Sequence, residues 1–220
     1  PSEDFSSYEL TRLFREMRSI FVAGTLPYPM SSLLMSLLSD IEYLENGEKR
    51  PQFGFSICAM TSVLLRYLAV VCIDIYVEST KASDYEVNIA IVGIIRKATD
   101  GQWLNLIRTI LSRRNNWNVV EEKKEVIQVL SVLSDILEQK PVFDEREKED
   151  FQIYRRKKNR EVFLKGNKEP ESLQKISDVL TYFLISYRNH LVHGETLEEV
   201  DHIGASIALQ EVFCALSPFW

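Results

Sequence analysis

The longest apolar stretch of this 220-residue chain runs from Phe55 to Val77 and constrains the fold more than any other feature. Its length would suffice to cross a bilayer. Arg66 lies near its centre and Asp74 about two turns later, and charges at such positions are expensive in lipid. We therefore expect a buried central helix of a soluble bundle, with Arg66 paired to a carboxylate or placed where the helix meets water.

The rest of the chain predicts one helix after another. Only eight glycines and seven prolines interrupt it, and apolar residues recur at intervals of three and four. In one segment Val126, Leu130, Leu133 and Leu137 share a face. Predicted helices fall at about residues 6–22, 30–45, 55–77, 84–97, 99–113, 120–139, 170–192 and 197–216. The expected fold class is all-α, a helical bundle of about eight or nine helices in a single domain, 1–220.

Short polar patterns mark where several of these helices begin and end. Asp84 is a candidate N-cap, because a side-chain oxygen at that position can accept from the first free amides of a helix. Thr99-Asp-Gly-Gln102 and Thr196-Leu-Glu-Glu199 have the spacing of capping boxes. Gly194 lies in the turn before the last helix, and Pro141 ends the predicted helix at 120–139.

The net charge and the cysteine pattern indicate the cellular compartment and the classes of binding partner. A net charge of −6 argues against broad nucleic-acid binding, although it leaves room for a local basic patch. Cys58, Cys72 and Cys214 each lie in an apolar run, which predicts buried, reduced thiols. The cysteines and histidines lack the spacing of a metal site, so no metal and no cofactor is expected. The acidic N-terminal segment has no apolar signal core, and we expect a cytoplasmic protein without membrane attachment.

A charged run at 144–168 is acidic first and basic afterwards. The basic part contains Arg155, Arg156, Lys157, Lys158 and Arg160. Such a run is usually a solvated helix face. The alternative is that its basic half borders the functional site and holds a phosphate backbone, which makes these five residues candidates for RNA binding.

All three histidines of the chain, His190, His193 and His202, lie in one window near its C-terminal end. Two of them follow an Arg-Asn pair in the segment Arg188–His193, at the end of a predicted helix and just before Gly194. Histidine titrates near neutral pH, which suits it to proton transfer. We therefore place the candidate functional site in this segment.

The spacing within the segment suits phosphodiester chemistry. Asn189 and His193 are four residues apart, so on a helix the amide can orient the imidazole. Arg188 and His193 are about 140° apart on an ideal helix, and they converge only if the helix loosens near His193. An arginine fork binds phosphate and an imidazole moves protons. Together they suit RNA transesterification without a metal, in which the imidazole deprotonates the 2′-OH and the arginine stabilises charge at phosphorus.

The leaving 5′-oxygen needs an acid as well. His190 points about 60° away from His193 on a helix, so one chain could supply both groups. A two-fold dimer would bring second copies of Arg188 and His193 to the same cleft more simply.

The segment Arg188-Asn-His-Leu-Val-His193 resembles the R-x(4–6)-H signature of the HEPN superfamily (higher eukaryotes and prokaryotes nucleotide-binding), in which a polar residue follows the arginine. HEPN domains are helical bundles. Many are metal-independent endoribonucleases of toxin–antitoxin, antiviral-defence and CRISPR systems, active as homodimers with the motif at the interface. The resemblance implies that Arg188 and His193 are catalytic, that Asn189 supports them, and that His190 is a weaker candidate. It extends loosely over 99–217, which leaves 1–98 as an N-terminal helical extension.

Two hypotheses follow. The first is a homodimeric, metal-independent endoribonuclease of bacterial defence or toxin–antitoxin type. The second is a non-catalytic helical module that dimerises or docks onto a partner, such as an antitoxin or a neighbouring domain of a longer protein. The abrupt apolar ending at Trp220 is expected either for a piece of a longer parent or for a docked C-terminus. On the second hypothesis Arg188 forms a salt bridge at a helix C-terminus, His193 caps that helix, and His202 lies on the surface.

Overall fold

The computed structural model describes residues 26–45, 52–141, 174–194, 197 and 199–219. Within these ranges the chain is mostly helical and contains no strand, which confirms the all-α prediction at the level of fold class. The predicted helix at 6–22 and the charged run at 144–168 lie outside the described residues.

Seven helices occupy the described part of the chain. They are α1 (Tyr28–Glu45), α2 (Phe53–Ser79), α3 (Tyr85–Arg96), α4 (Asp100–Arg113), α5 (Lys124–Glu138), α6 and α7 (Glu199–Ala215). Helix α6 consists of three consecutive segments, Ile176–Asp178, Val179–Ile185 and Ser186–Val192. Single 3₁₀ turns occur at Arg114–Asn116, Glu121–Lys123 and Ser217–Phe219. The predicted total of eight or nine helices and the HEPN-like topology stay predictions.

Contacts divide the chain into two compact units. The first unit contains α1, the beginning of α2 up to Thr61, α6 and α7. The second unit contains the rest of α2, from Ser62, and helices α3 to α5. The predicted single domain, with its extension at 1–98, stays a prediction.

Helix α2 begins two residues before the predicted apolar run and ends two residues after it. The helix is long and apolar enough to cross a membrane, and 50% of its most apolar 18-residue stretch is buried within the protein. Core helices of soluble proteins have the same length and composition, so the buried core helix of a soluble bundle stays a prediction. Arg66 is exposed, as expected for a charge placed where the helix meets water. The cytoplasmic location stays a prediction.

In the first unit a buried carboxylate joins α1 to the start of α2. Asp40 is almost fully buried and accepts hydrogen bonds from Ser56 Oγ at 2.6 Å and Gln52 Nε2 at 3.5 Å. A buried carboxylate needs such donors, because an isolated charge in the interior is costly. Its position beside the first turn of α2 also places negative charge near the positive end of the helix dipole.

In the second unit the predicted helix starts are confirmed. Asp84 caps α3 by accepting from the backbone amides of Glu86 at 3.0 Å and Val87 at 3.3 Å. Thr99 and Gln102 form the predicted capping box at α4, with the Gln102 amide 3.3 Å from Thr99 Oγ1 and the Thr99 amide 3.1 Å from Gln102 Oε1. Local sequence was sufficient here, because each cap joins residues two or three positions apart.

Several polar groups surround the Asp84 cap. The Asp84 carboxylate accepts a hydrogen bond from Arg113 Nε of α4 at 3.0 Å. Its backbone amide donates to the hydroxyl of the buried Tyr76 at 2.6 Å, and that hydroxyl donates to Asn88 Oδ1 at 3.2 Å. The ring of Trp117 contacts Tyr76 with ring centroids 5.0 Å apart. One tyrosine therefore connects the last turns of α2 to the start of α3.

One burial prediction was wrong, and one predicted apolar stripe is only partly buried. Val126 is exposed, although it shares a predicted stripe with Leu130, Leu133 and Leu137, which are buried. It lies in the first turn of α5, directly after the 3₁₀ turn Glu121–Lys123. The prediction for Cys214 was wrong: it is exposed, because the last turn of α7 buries Val212 and Phe213 and Cys214 lies on another side of the helix. Cys58 and Cys72 are buried as predicted.

Candidate functional site

Helix α6, which carries the candidate site, departs from the predicted form. It begins at Ile176, later than the predicted residue 170, and its middle segment Val179–Ile185 is a π-helix. The π-helical turn is wider than an α-helical one, so it changes the direction in which the residues after it point. Such segments are frequent near functional sites. Nothing in the sequence signalled it.

The π segment packs its apolar side chains against α7. Val179, Leu180, Phe183 and Leu184 are all buried there. On the α7 side, Ala205, Ala208 and Leu209 are buried as well. The part of α6 immediately before the candidate site is therefore held by the core of the first unit.

Tyr187 anchors the final turns of α6. Its side chain is fully buried, and its hydroxyl lies 2.7 Å from Nδ1 of His202 on α7. The two rings meet edge to face with centroids 5.9 Å apart, and the ring of Phe53 lies 6.4 Å from that of His202. The non-catalytic hypothesis expected His202 at the surface, whereas the structure partly buries it. It is half-buried because its ring fills the space between Tyr187 and Phe53.

Gly54 explains how three helices meet at this point. A Cβ atom at position 54 would lie 2.7 Å from Tyr187 Oη, 3.1 Å from Leu191 and 3.2 Å from His202. The first distance is shorter than side chains tolerate, and the other two are tight. The start of α2 can therefore approach α6 and α7 only because residue 54 has no side chain. Spacing along the sequence could not reveal this, since the contact joins distant segments.

Beyond the buried Tyr187, the candidate residues turn toward solvent. Asn189 and His193 are exposed, whereas Arg188 and His190 are half-buried. Nη1 of Arg188 lies 3.5 Å from Oδ1 of Asn189, a long hydrogen bond that joins the guanidinium to the amide. The structure thus brings Arg188 and Asn189 together at an accessible position.

The helix ends at His193, as the neighbouring glycine predicted. The His193 amide still donates to the Asn189 carbonyl at 3.0 Å, but its backbone has left helical geometry, with φ −82° and ψ 7°. Gly194 follows with φ +75°, a left-handed conformation that glycine adopts without strain, and its amide donates to the Leu191 carbonyl at 3.2 Å. His193 is therefore the C-cap of α6 as well as a candidate catalytic residue.

Other parts of the predicted site stay untested. Arg155, Arg156, Lys157, Lys158 and Arg160 lie outside the described residues, as does Thr196 of the predicted capping box. Among the residues that the structure describes, no group of three or more histidine, cysteine and acidic side chains is arranged to hold a metal ion.

The accessible end of α6 combines groups with complementary chemistry. A guanidinium binds anionic oxygens, an amide donates and accepts, and an imidazole exchanges protons near neutral pH. The C-terminal end of a helix favours a nearby cation such as Arg188. Comparison with protein-family models, curated proteins and solved structures finds no match for this chain. The chemistry of the site must therefore be argued from its own residues.

Proposed function

We propose that this protein is a metal-independent endoribonuclease of HEPN type that cleaves RNA by transesterification. The proposal rests on one observation. Arg188, Asn189 and His193 lie at the accessible C-terminal end of α6, and Tyr187, directly before them, is buried and contacts His202. A reactive group must be held in place and still reach its substrate. This helix end provides both conditions.

The proposed reaction needs only an imidazole and a guanidinium. Neutral His193 accepts the proton of a ribose 2′-OH, and the 2′-oxygen attacks the adjacent phosphorus. The bond from phosphorus to the 5′-oxygen then breaks, and that oxygen takes up a proton from an acid. Arg188 stabilises the negative charge that builds on the phosphoryl oxygens, while Asn189 holds the guanidinium in position. The products carry a 2′,3′-cyclic phosphate and a 5′-hydroxyl.

The acid for the leaving oxygen has two proposed sources. A two-fold dimer would present a second copy of His193, in its protonated form, across a shared cleft. Alternatively His190, half-buried on the same helix, supplies the proton within one chain. Adding an excess of the inactive variant His193→Ala to the wild type, with RNA in excess over both, distinguishes the two. Loss of wild-type cleavage, through mixed dimers that contain only one His193, supports the dimer, whereas unchanged cleavage supports the single chain.

The proposal is tested by incubating labelled RNA with the purified protein in EDTA. General acid–base catalysis contributes about 10²–10⁴-fold, so His193→Ala should lower the cleavage rate by that factor. Arg188→Ala should do the same, and Arg66→Ala is its matched control, since Arg66 is an exposed arginine of the second unit. RNA with a deoxyribose at the cleaved position should resist cleavage. Equal rates for the wild type and His193→Ala would refute the proposal.

The biological setting proposed for such an enzyme is bacterial defence or a toxin–antitoxin pair, in which a partner restrains the nuclease. The overall charge of −6 means that RNA must be held locally, by Arg188, Asn189 and the basic residues 155–160. At most about six phosphate contacts per chain, from these arginines and lysines, predict a slope of log affinity against log salt concentration of no more than about 4 in magnitude for single-stranded RNA. A steeper slope would contradict this binding mode.

A second candidate function is a non-catalytic interaction module. The observation that favours it is an apolar, solvent-exposed face on α3, which includes Tyr85 and Ile89. Such faces are typical of protein–protein contacts. If the purified protein associates through α3 but neither binds nor cleaves RNA, this second function replaces the first.

A further inference from the structure

Helix α3 exposes apolar side chains on its outer face. Tyr85 is 75% exposed, Ile89 50%, Val92 43% and Ile95 78%. The positions 85, 89 and 92 recur at intervals of four and three, so they form one stripe along the helix. The opposite face carries Val87 and Ile94, both buried where α3 packs against α4.

A helix that is apolar on both faces is normally covered on both. Here the inner face is covered by the protein itself, and the outer face meets water. Exposed apolar surface that is continuous rather than scattered marks an interaction site. The outer face of α3 therefore needs an occupant, and three features of the helix indicate which one.

The first feature is Gly93. A Cβ atom at this position would meet nothing within 4 Å, so no contact within the described part of the chain requires a glycine here. Glycine in a helix interior is unfavourable relative to alanine. It is useful where another helix must approach closely, because the missing side chain leaves a shallow hollow. Gly93 lies four residues after Ile89, beside the apolar stripe.

The second feature is the distribution of charge. Glu86 lies in the first turn of α3 and Arg96 in the last turn, followed by Lys97, and all three side chains are exposed. Two copies of this helix packed antiparallel would place Glu86 of each copy opposite Arg96 and Lys97 of the other. Two parallel copies would instead place like charges together. The helix is thus complementary to itself in the antiparallel orientation only.

The third feature is that a single antiparallel register both pairs the opposite charges and fills the hollow at Gly93. Positions 86 and 96 have the same midpoint along the helix as positions 89 and 93. When Glu86 faces Arg96 of the second copy, Ile89 therefore faces Gly93. The side chain of Ile89 then fills the hollow that Gly93 leaves. This reciprocity is what a two-fold interface requires.

We propose that the outer face of α3 is a homodimer interface, in which α3 packs antiparallel against α3 of a second copy with Ile89 over Gly93 and Glu86 beside Arg96. A 12-residue helix is about 18 Å long, so the contact is at the small end of specific interfaces. We therefore expect a dissociation constant on the order of micromolar. This interface is independent of the nuclease proposal, whose residues lie on α6.

Sedimentation equilibrium of the purified protein, from about 1 µM to about 1 mM, tests the proposal. A reversible monomer–dimer equilibrium is expected. Ile89→Asp should raise the dissociation constant at least about tenfold, because it places a charge in the centre of the contact. A protein that stays monomeric over this range, or a dimer that Ile89→Asp leaves unchanged, would overturn the proposal.

Charge reversal tests the orientation. Glu86→Lys should weaken the dimer, and so should Arg96→Glu combined with Lys97→Glu. All three substitutions together should restore it, because the reversed charges are again complementary. Failure of the triple variant to recover affinity, while circular dichroism shows it folded, would exclude the antiparallel register.

Glycine substitutions provide the matched control. Gly93→Ala and Gly101→Ala both replace a helical glycine whose Cβ would meet open space, so both should raise the melting temperature. Only Gly93→Ala should weaken the dimer. Because Arg188→Ala and His193→Ala lie outside this surface, they should leave association through α3 unchanged and affect only RNA cleavage. These experiments can therefore refute the interface at α3 without refuting the nuclease at α6, and the reverse.

Discussion

The hydroxyl of Tyr187 lies 2.7 Å from Nδ1 of His202, and this contact joins α6 to α7 directly before the candidate catalytic residues. Tyr187 is fully buried, and the next residue in the chain is Arg188. The hydroxyl is therefore a polar group that contacts the imidazole of a neighbouring helix from within the core. Its removal is the most direct way to test what positions the end of α6.

Tyr187→Phe should lower the free energy of unfolding by about 1–3 kcal/mol, because it leaves the ring in place but removes the hydrogen bond between the buried hydroxyl and His202. Urea denaturation followed by circular dichroism measures the change. Tyr85→Phe is the control, since Tyr85 is exposed, and it should change stability by less than about 0.5 kcal/mol. Equal effects of the two variants would show that the buried hydroxyl contributes nothing.

Gly54→Ala should destabilise the protein by about 1–3 kcal/mol, because the new methyl group would collide with Tyr187 Oη. Gly101→Ala should instead stabilise it, by up to about 1 kcal/mol, since its Cβ meets open space within α4. The opposite signs are measured in parallel by thermal and urea denaturation. A neutral Gly54→Ala would mean that α2 does not approach α6 as closely as the structure shows.

Asp84 makes stability dependent on pH. Burial acts to raise the pKa of its carboxyl, but hydrogen bonds from Arg113 and Val87 outweigh burial, and the pKa lies below its usual value. A carboxyl with a lowered folded-state pKa contributes stability that is present above its unfolded pKa, about 3.9, and lost as pH falls through the folded value. Asp84→Asn keeps a good cap but removes the charge, so the stability difference from wild type should shrink below about pH 4.

Asp84→Ala removes the cap as well as the charge. It should therefore cost about 0.5–2 kcal/mol more than Asp84→Asn at neutral pH. Comparing urea denaturation of the two variants at pH 7 and pH 3 separates the cap from the charge. A difference from wild type that is the same at both pH values would show that the Asp84–Arg113 pair contributes no stability.

The three thiols should react at different rates. Cys214 is exposed and should be labelled rapidly by a maleimide, whereas Cys58 and Cys72 are buried. Burial also raises the pKa of Cys72 to about 12, so little of the reactive thiolate is present near neutral pH. Mass spectrometry of the labelled protein should find one fast site in the folded protein and three in urea. Rapid labelling of Cys72 in the folded state would contradict its burial.

Some of this structure could be predicted from sequence because the deciding interactions are local. Hydrogen bonds between residues a few positions apart form the Asp84 cap and the Thr99–Gln102 capping box, and the same is true of the turn at Gly194. The helical nature of residues 55–77 followed from the apolar run, and exposure to water was one of the two alternatives expected for Arg66, beside a carboxylate partner. Such features depend on backbone preferences that remain the same in any fold.

Other features depend on contacts between distant segments, and sequence reasoning missed them. His202 was placed on the surface because the tyrosine that it contacts lies fifteen residues earlier on a different helix. Cys214 was assigned to the core because an apolar run does not show which side of a helix is covered. The π segment at Val179–Ile185 has no sequence signature that we can identify.

The close approach at Gly54 has a consequence for recognising related proteins. A glycine, a tyrosine and a histidine, at positions 54, 187 and 202, must change together or stay together, since enlarging the first displaces the other two. A distant homologue should therefore keep these three residues even where the residues equivalent to Arg188 or His193 have been replaced. The trio would then identify descendants that retain the scaffold after losing the chemistry.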